Sequence, residues 1–286
     1  MSSVLKVIAL TVFLQVNLAY AWGKEGHYIA CAIAQSLLSE STLKAVQSLL
    51  PKHAGGRLAN LCSWANEMRL LEPWHWSIPL HFVETPDFLC NYDYHRDCQN
   101  FEGYHDMCTV GAINNYTAQL TTHGSSIKPY NLTEAILFLA HFMGDIHQPL
   151  HVGFSKDSRA QLINLQWYNE EKTLHHVWDD GILHGLKAQH YSQSNILELI
   201  KDIQENITGY WKDDVPNWTF CESGKVTCPD LYAKESIKLA CWWAYKGASR
   251  GSSLDDKYYH SRLAVVQKRL AQAGVRLASI LNKVLF

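Results

Sequence analysis

Apolar residues recur at three- and four-residue spacing along most of the chain, the pattern of helices that bury one face. Eight segments show this spacing, and we predict helices at residues 30–38, 43–50, 57–69, 110–121, 132–145, 195–207, 232–245 and 262–285. Asn131, followed three residues later by Glu134, predicts a helix start, and Pro149 predicts a stop. Strand signals are poor. Residues 162–167 predict a small β-ribbon, and the aromatic stretch 74–100 is expected to be irregular.

The mature chain is expected to form one domain. No Pro-rich or Gly/Ser-rich linker interrupts the helical pattern. We therefore predict an all-α fold, a single multi-helix domain over residues 22–286 with at most a small β-ribbon.

Residues 1–21 carry the marks of a targeting segment. Lys6 precedes a short apolar run at residues 7–16, and Ala19-Tyr-Ala21 fits the small-residue cleavage pattern. The run is shorter than the roughly 20 apolar residues that a membrane span needs. We predict a signal peptide, with a buried N-terminal helix as the alternative, so that cleavage leaves Trp22 at the amino terminus.

Composition and charge narrow the class of protein. The chain has 286 residues, 47% hydrophobic and 18% charged, which is typical of a globular protein. Its formal net charge of -2 excludes nucleic-acid binding through bulk basic charge. A protein of this charge that handles phosphates must do so through metals or local geometry.

The cysteines and glycosylation sequons agree with a secretory route. The eight cysteines are an even set, and an oxidising compartment predicts four disulfides whose pairing the spacing leaves open. They are Cys31, Cys62, Cys90, Cys98, Cys108, Cys221, Cys228 and Cys241. N-glycosylation sequons begin at Asn115, Asn131, Asn206 and Asn217.

Two His-x3-Asp pairs carry the strongest chemical signal. His141 precedes Asp145 by one helical turn, and His175 precedes Asp179 by the same spacing, so each pair can aim at one point. Pro149 turns the chain, which lets His151 return to the same region. Imidazole nitrogens and carboxylate oxygens are ordinary zinc ligands. The pairs predict a metal centre, with hydrogen-bonded polar pairs on a helix face as the alternative.

The mature terminus adds a third cluster, Trp22-Gly-Lys-Glu-Gly-His27. Cleavage after Ala21 would free an α-amino group, which binds metal when it is deprotonated. The amine and carbonyl of one residue can chelate an ion together. Simple packing of a terminal tryptophan is the alternative.

These motifs occur together in one order with the segments Cys62-Ser-Trp-Ala, Pro79-Leu-His81 and Thr85-Pro-Asp87. In that combination the chain resembles the zinc-dependent, single-strand-specific nucleases of plants and fungi, the mung-bean nuclease type or plant bifunctional nucleases. The resemblance covers essentially the whole mature chain and implies the mostly helical fold shared with zinc phospholipase C.

The resemblance implies three zinc ions. One would bind the α-amino and carbonyl groups of Trp22 together with His27 and a bridging Asp145. The next would bind His81, His141, Asp145 and position 66. The third would bind His151, His175 and Asp179.

Further roles follow from the same resemblance. It implies the disulfides Cys31–Cys62, Cys90–Cys241, Cys98–Cys108 and Cys221–Cys228. Arg69 would lie near the scissile phosphate, and Asn66, Arg69 and Asp145 are the expected catalytic positions. The substrate contacts expected are Lys24, Glu84 and Gln161.

The sequence departs from the family at two places. Asn66 stands where the family has Asp, and a neutral amide is a poorer zinc ligand than a carboxylate. Arg159-Ala160-Gln161 stands where the family has Gly-Gly-Asn, and these residues adopt positive φ only at a cost. We expect weaker zinc binding at position 66 and an altered nucleotide pocket.

The implied activity is endonucleolytic hydrolysis of single-stranded DNA and RNA to 5′-phosphorylated products, with 3′-nucleotidase activity besides. A pseudo-nuclease that binds zinc and nucleic acid without turnover is one alternative, and a phospholipase C-like phosphodiesterase is another. Nucleic acids and nucleotides are the expected partners of a monomer that binds no membrane and is extracellular or vacuolar.

Overall fold

The computed structural model describes residues 22–286 apart from residues 101, 128, 192–194 and 223. The expected signal peptide lies outside the described residues. Helices dominate, as predicted, and the α-helices are α1 Lys24–Ser36, α2 Glu40–Leu49, α3 Trp64–Met68, α4 Tyr94–Asp97, α5 Thr109–Leu120, α6 Leu132–Asp145, α7 Leu174–His176, α8 Ile182–His190, α9 Ile196–Thr208, α10 Val215–Thr219, α11 Pro229–Leu239 and α12 Asp256–Val284.

Helix α6 is the central element of the core. Asn131 caps its amino terminus by accepting a hydrogen bond from the Glu134 amide, as the sequence predicts. Every residue from Ala135 to Asp145 is buried, so this helix is covered on all sides. Functional side chains at its carboxyl end are therefore held in a dry, rigid setting.

Helices α1 and α12 pack against each other beside α6. A Cβ atom at Gly274 of α12 would lie 2.5 Å from Cγ2 of Ile33, so glycine there permits the close approach of the two helices. This packing fixes α1, which carries His27 at its first turns.

The strands form two small sheets instead of one ribbon. Strand β1, Val83–Thr85, pairs in parallel with β2, Val152–Phe154. Strand β3, Asn164–Trp167, pairs antiparallel with β4, Glu170–Thr173, and parallel with β5, Ser253–Leu254. The first sheet joins the segments that follow His81 and His151.

Two segments differ from the pattern-based expectation. The helix predicted over 57–69 is divided into a 3₁₀ turn at Leu58–Leu61 and the short α3. The stretch 74–100, expected to be irregular, contains β1 and α4 and begins within a ten-residue 3₁₀ helix, Glu72–His81. Prolines and aromatic packing favour the tighter 3₁₀ form there.

A charged network ties α11 and α12 to the end of α6. Arg269 and Arg276, both nearly fully buried, donate to Glu235 at 2.7 Å. Burial raises the pKa of Glu235, but the hydrogen bonds and charges of Arg276 and Arg269 outweigh it and lower the pKa to about 2. His147 accepts from Arg276 at 2.8 Å. His147 is therefore a hydrogen-bond partner in this buried network.

Four disulfides cross-link the described chain. They join Cys31 to Cys62, Cys90 to Cys241, Cys98 to Cys108 and Cys221 to Cys228, the pairing that the resemblance implies. No helix among the described residues combines the length and apolar character of a membrane span.

Candidate metal centre

His141 and Asp145 face one point from the carboxyl end of α6. Their side chains lie one turn apart, both are fully buried, and His141 Nε2 is 3.3 Å from Asp145 Oδ2. The i, i+4 spacing read from the sequence thus produces a close histidine–carboxylate pair.

Two more histidines reach the same carboxylate from distant elements. His81, at the end of the 3₁₀ helix, places Nδ1 2.9 Å from Asp145 Oδ2. His27, on α1, places Nε2 3.3 Å from Asp145 Oδ1. A Cβ atom at Gly144 would lie 2.4 Å from His27 Nδ1, so glycine makes room for this ring. Asp145 is therefore surrounded by three imidazoles.

His151, His175 and Asp179 form a second group. The Nε2 atoms of His151 and His175 are 3.2 Å apart, and His175 Nε2 is 3.5 Å from Asp179 Oδ2. Asp179 lies in a π-helical turn, Val177–Gly181, a local distortion that is common at functional sites. His151 Nδ1 is 3.9 Å from Asp145 Oδ1, so the two groups adjoin.

Backbone carbonyls set the tautomer of three of these histidines. A carbonyl oxygen only accepts, so an Nδ1 atom at hydrogen-bond distance must carry the proton and leave a lone pair on Nε2. The three bonds run from His141 to Cys62 at 2.7 Å, from His151 to His81 at 2.6 Å and from His175 to Arg159 at 2.5 Å. Such bonds orient metal-ligating imidazoles.

Burial keeps the imidazoles neutral. It lowers the pKa of His27 to about 4 and that of His81 and His175 to about 3. Neutral imidazole is the form that binds a metal, so the site is ready for cations at neutral pH.

The pKa values of Asp145 and Asp179 are shifted in opposite directions. Burial raises the pKa of Asp145, but the charge and hydrogen bonds of its histidines outweigh burial and hold the pKa well below its usual range. Burial raises the pKa of Asp179 well above its usual range, although Gln148 donates to its Oδ1 at 2.6 Å. A cation beside Asp179 would favour its charged form.

Orphaned buried atoms show that the cluster fits metal ions. Buried nitrogens of His27, His81 and His141 and Oδ1 of Asp145 have no hydrogen-bond partner within the described structure. Two lone-pair nitrogens facing each other at 3.2 Å, as in His151 and His175, repel unless a cation lies between them. The donor set of imidazole and carboxylate suits zinc.

The start of the described chain lies beside the second group. Trp22 is fully buried, and the amide of the next residue, Gly23, donates to the carbonyl of Asp179 at 3.1 Å. The α-amino and carbonyl groups of a mature terminus at Trp22 would therefore start within this cluster.

Asn66 and Arg69 lie in and just after the short helix α3. Asn66 is 2% exposed, and its Oδ1 is buried without a hydrogen-bond partner in the part of the chain that the structure describes. Asn66 lies four residues after Cys62. The carbonyl of Cys62 is the acceptor that orients His141. Arg69, directly after α3, is 5% exposed.

The expected substrate contacts are more exposed than the metal-ligand cluster. Lys24 is exposed at the start of α1, and Glu84 and Gln161 are partly buried. The side chain of Glu84 pairs with Arg159. Gln161 lies directly after a strained turn, which also provides the carbonyl that orients His175.

That turn takes a backbone conformation that is costly for its residues. Ser158, Arg159 and Ala160 have positive φ values of 52°, 59° and 67°. The left-handed conformation that glycine adopts easily is thus taken by three residues for which it is costly. Hydrogen bonds hold the turn, because the Ala160 amide donates to Asp157 Oδ1 at 2.7 Å.

The sequence did not predict the roles of two residues. Gln148 is fully buried and orients Asp179; its place in the His147-Gln148-Pro149 run, close to the expected ligands, was the only sequence feature that indicated such a role. Arg159 packs its side chain on Phe82, which nothing in the spacing indicates.

The expected glycosylation positions are mostly accessible. Asn115, Asn131 and Asn217 are exposed, and Asn206 is half-buried on α9. None of the four asparagines is an expected metal ligand or adjacent to one in the sequence.

Comparison with known proteins gives matches along the described chain. The S1/P1 Nuclease family model matches residues 22–286. Endonuclease 4 of Arabidopsis thaliana is 48% identical over 282 residues, 98% of this chain and 93% of that protein. Nuclease P1 of Penicillium citrinum is 30% identical over 277 residues, 92% of this chain and 97% of that protein. Nuclease S1 of Aspergillus oryzae is 30% identical over 291 residues, 99% of this chain and 98% of that protein.

Proposed function

Because the chain belongs to the S1/P1 nuclease family, we propose that it is a secreted zinc-dependent endonuclease acting on single-stranded DNA and RNA. It hydrolyses phosphodiester bonds to 5′-phosphorylated products and has 3′-nucleotidase activity. The observation that carries this proposal is the pair of adjoining buried groups, His27, His141 and Asp145 beside His151, His175 and Asp179, whose ligand atoms lie within 4.8 Å of one another in each group.

Three zinc ions are assigned to these residues. Trp22, His27 and Asp145 would hold one ion, and His81, His141, Asp145 and Asn66 would hold the next. His151, His175 and Asp179 would hold the third. Asp145 has one oxygen 3.3 Å from His27 and the other 2.9 Å from His81, which supports its assignment to both of the first two sites.

Zinc held by these residues would supply a Lewis acid that polarises a phosphodiester and lowers the pKa of a water. Arg69, whose side chain is nearly fully buried, offsets the negative charge that develops on the phosphoryl oxygens. Asn66 offers a carbonyl oxygen beside the reacting atoms. Lys24, which is exposed, attracts the phosphate backbone, and Glu84 and Gln161 contact the nucleotide.

Single strands suit this site better than duplexes. The ligands lie in a buried cluster, and an unpaired strand can bend its backbone into such a cleft more easily than a stiff duplex can. The charge of the ions explains how a chain of formal net charge -2 binds a polyanion. The protein acts as a monomer, and no membrane is among its partners.

Secretion agrees with four disulfides and with three exposed sequon asparagines. Removal of residues 1–21 supplies the free amino group of Trp22. The mature protein is glycosylated and extracellular or vacuolar.

The test is hydrolysis of single-stranded and duplex oligonucleotides by the purified mature protein, before and after chelation. We expect zinc-dependent cleavage of the single strand to 5′-phosphorylated fragments. His141→Ala should abolish it, whereas His53→Ala, at an exposed histidine, should not. Zinc-independent cleavage, or cleavage of a phosphatidylcholine substrate alone, would contradict the proposal.

One observation favours a second candidate, a pseudo-nuclease that binds zinc and nucleic acid without turnover. The buried, unpartnered oxygen at position 66 belongs to a neutral amide, Asn66, instead of a carboxylate. A zymogram with single-stranded DNA distinguishes the two, since a pseudo-nuclease is silent until Asn66→Asp restores the carboxylate.

A further inference from the structure

A pocket of about 250 Å³ lies beside the metal-ligand cluster, and Phe82, Glu84 and Arg159 line it. Phe82 directly follows the ligand His81, and the carbonyl of Arg159 accepts from the ligand His175 at 2.5 Å. A phosphodiester held by the cluster therefore has a neighbouring nucleoside within reach of this pocket.

Arg159 covers the aromatic surface of the pocket. Its guanidinium carbon lies 3.6 Å from the centre of the Phe82 ring, which is a close cation–π contact. The same guanidinium pairs with the carboxylate of Glu84, and the Arg159 side chain is only 9% exposed. The aromatic face and the carboxylate are thus both engaged by one side chain.

The backbone holds Arg159 in this position. Its φ of 59° lies between two other positive values, and its carbonyl is committed to His175. Its amide donates to the Phe154 carbonyl at 2.8 Å. Because both backbone groups are bonded, the side chain leaves the turn in a fixed direction, toward Phe82.

We propose that Arg159 is a specificity-determining residue that occupies the face of Phe82 on which a nucleobase would stack, so that the site binds its substrate through the phosphodiester and sugar. The proposal rests on the proposed function, since it assumes that the neighbouring cluster holds a phosphate. A base that stacks on an aromatic ring gains about 1–3 kcal/mol. Because Arg159 covers the Phe82 ring, a base cannot gain this stacking free energy, and binding does not depend on the base.

The test compares deoxyadenosine monophosphate with deoxyribose monophosphate, which lacks the base, by calorimetry on zinc-loaded protein. The wild-type protein should bind the two within about twofold. Arg159→Ala should bind the nucleotide about 5- to 150-fold more tightly than the sugar phosphate, the gain expected from one stacked base. Alanine and arginine share the same backbone cost at positive φ, so the turn should be retained.

Matched variants isolate the mechanism. Arg159→Ala combined with Phe82→Leu should lose the gain, because leucine fills space without an aromatic face. Lys156→Ala removes one exposed positive charge three residues away and should behave as wild type. Zinc content and thermal unfolding of each variant report whether the fold and the cluster remain intact.

Two results would overturn the inference. One is a wild-type protein that already binds the nucleotide far more tightly than the sugar phosphate. The other is an Arg159→Ala variant that shows no gain or loses affinity, as it would if bases stacked on the guanidinium itself. If the protein cleaves oligonucleotides but Arg159→Ala does not bind the nucleotide more tightly, only the inference fails. If Arg159→Ala binds the nucleotide more tightly but the protein cleaves no oligonucleotide, only the proposed function fails.

Discussion

Replacing Asn66 by aspartate should strengthen one zinc site, because it converts a neutral amide into a carboxylate. Asn66 is 2% exposed, and its Oδ1 is among the unpartnered buried atoms of the described chain. The substitution keeps the shape of the side chain and adds one negative charge to a cluster whose assigned ligands include two carboxylates, Asp145 and Asp179.

The magnitude follows from two opposing terms. A dication and a unit charge about 4 Å apart attract by about 8 kcal/mol at an effective dielectric constant of about 20. Ionising a carboxyl group as buried as Asn66 costs about 4 kcal/mol, equivalent to a pKa raised by roughly three units. The remaining 3–4 kcal/mol corresponds to zinc binding that is about 10²- to 10³-fold tighter at this site.

The assay is titration of the metal-free protein with zinc against a competing chelator, with zinc content measured on the same samples. We expect Asn66→Asp to retain one ion at chelator concentrations that strip it from the wild-type protein. Thermal unfolding adds a second readout, since the variant should be less stable than wild type without zinc and gain more from adding it. Asn114→Asp, at an exposed position of α5, controls for the charge change. Equal zinc loading and equal affinity in wild type and Asn66→Asp would refute the reasoning.

Four further predictions follow from named contacts. Gln148→Ala removes the donor to Asp179 and should lower zinc affinity about 10- to 100-fold in chelator competition; unchanged affinity would mean that the amide does not orient the carboxylate. Asn131→Ala should destabilise the fold by about 1 kcal/mol in denaturant unfolding, whereas Asn131→Ser, which retains an oxygen that can cap the helix and also removes the sequon, should not. Because Glu235 has a folded-state pKa lowered to about 2 from 4.5, its stabilising contribution is present above pH 4.5 and is lost as the pH falls toward 2. The stability deficit of Glu235→Gln should shrink across that window, and a deficit independent of pH would contradict the assignment. A chain that keeps one extra residue before Trp22 should contain one zinc ion fewer by elemental analysis than the correctly cleaved chain.

The parts of the site that lie within one helix could be predicted from the sequence. Helix α6 carries a strong apolar pattern and a capping asparagine, so its bounds and the shared face of His141 and Asp145 follow from the helical period. The same rule places His175 near Asp179, even though a π-helical turn contains the aspartate.

The helix predicted over 57–69 shows where periodicity fails. The segment has helical spacing, but the carbonyl of Cys62 accepts from His141 at 2.7 Å and the amide of Asn66 bonds to Ser63 instead. A long-range hydrogen bond thus takes the carbonyl that an uninterrupted helix would use for its own backbone. Local propensity contains no information about such a partner.

The contact between Arg159 and Phe82 could not be predicted from the sequence pattern. The two residues are far apart in sequence, and the pairing of β1 with β2 brings their segments together. The sequence indicated that positive φ is costly at residues 159–161; the structure has positive φ at residues 158–160, where hydrogen bonds to Asp157 and His175 hold the turn. Tertiary contacts outweigh the local preference there.

The most direct measurement is anomalous diffraction at the zinc absorption edge from crystals of the mature protein. We expect three zinc peaks within the cluster. Two should lie next to Asp145, and the third next to His151, His175 and Asp179. Peaks confined to the surface, or a cluster without a peak after soaking in zinc, would contradict it.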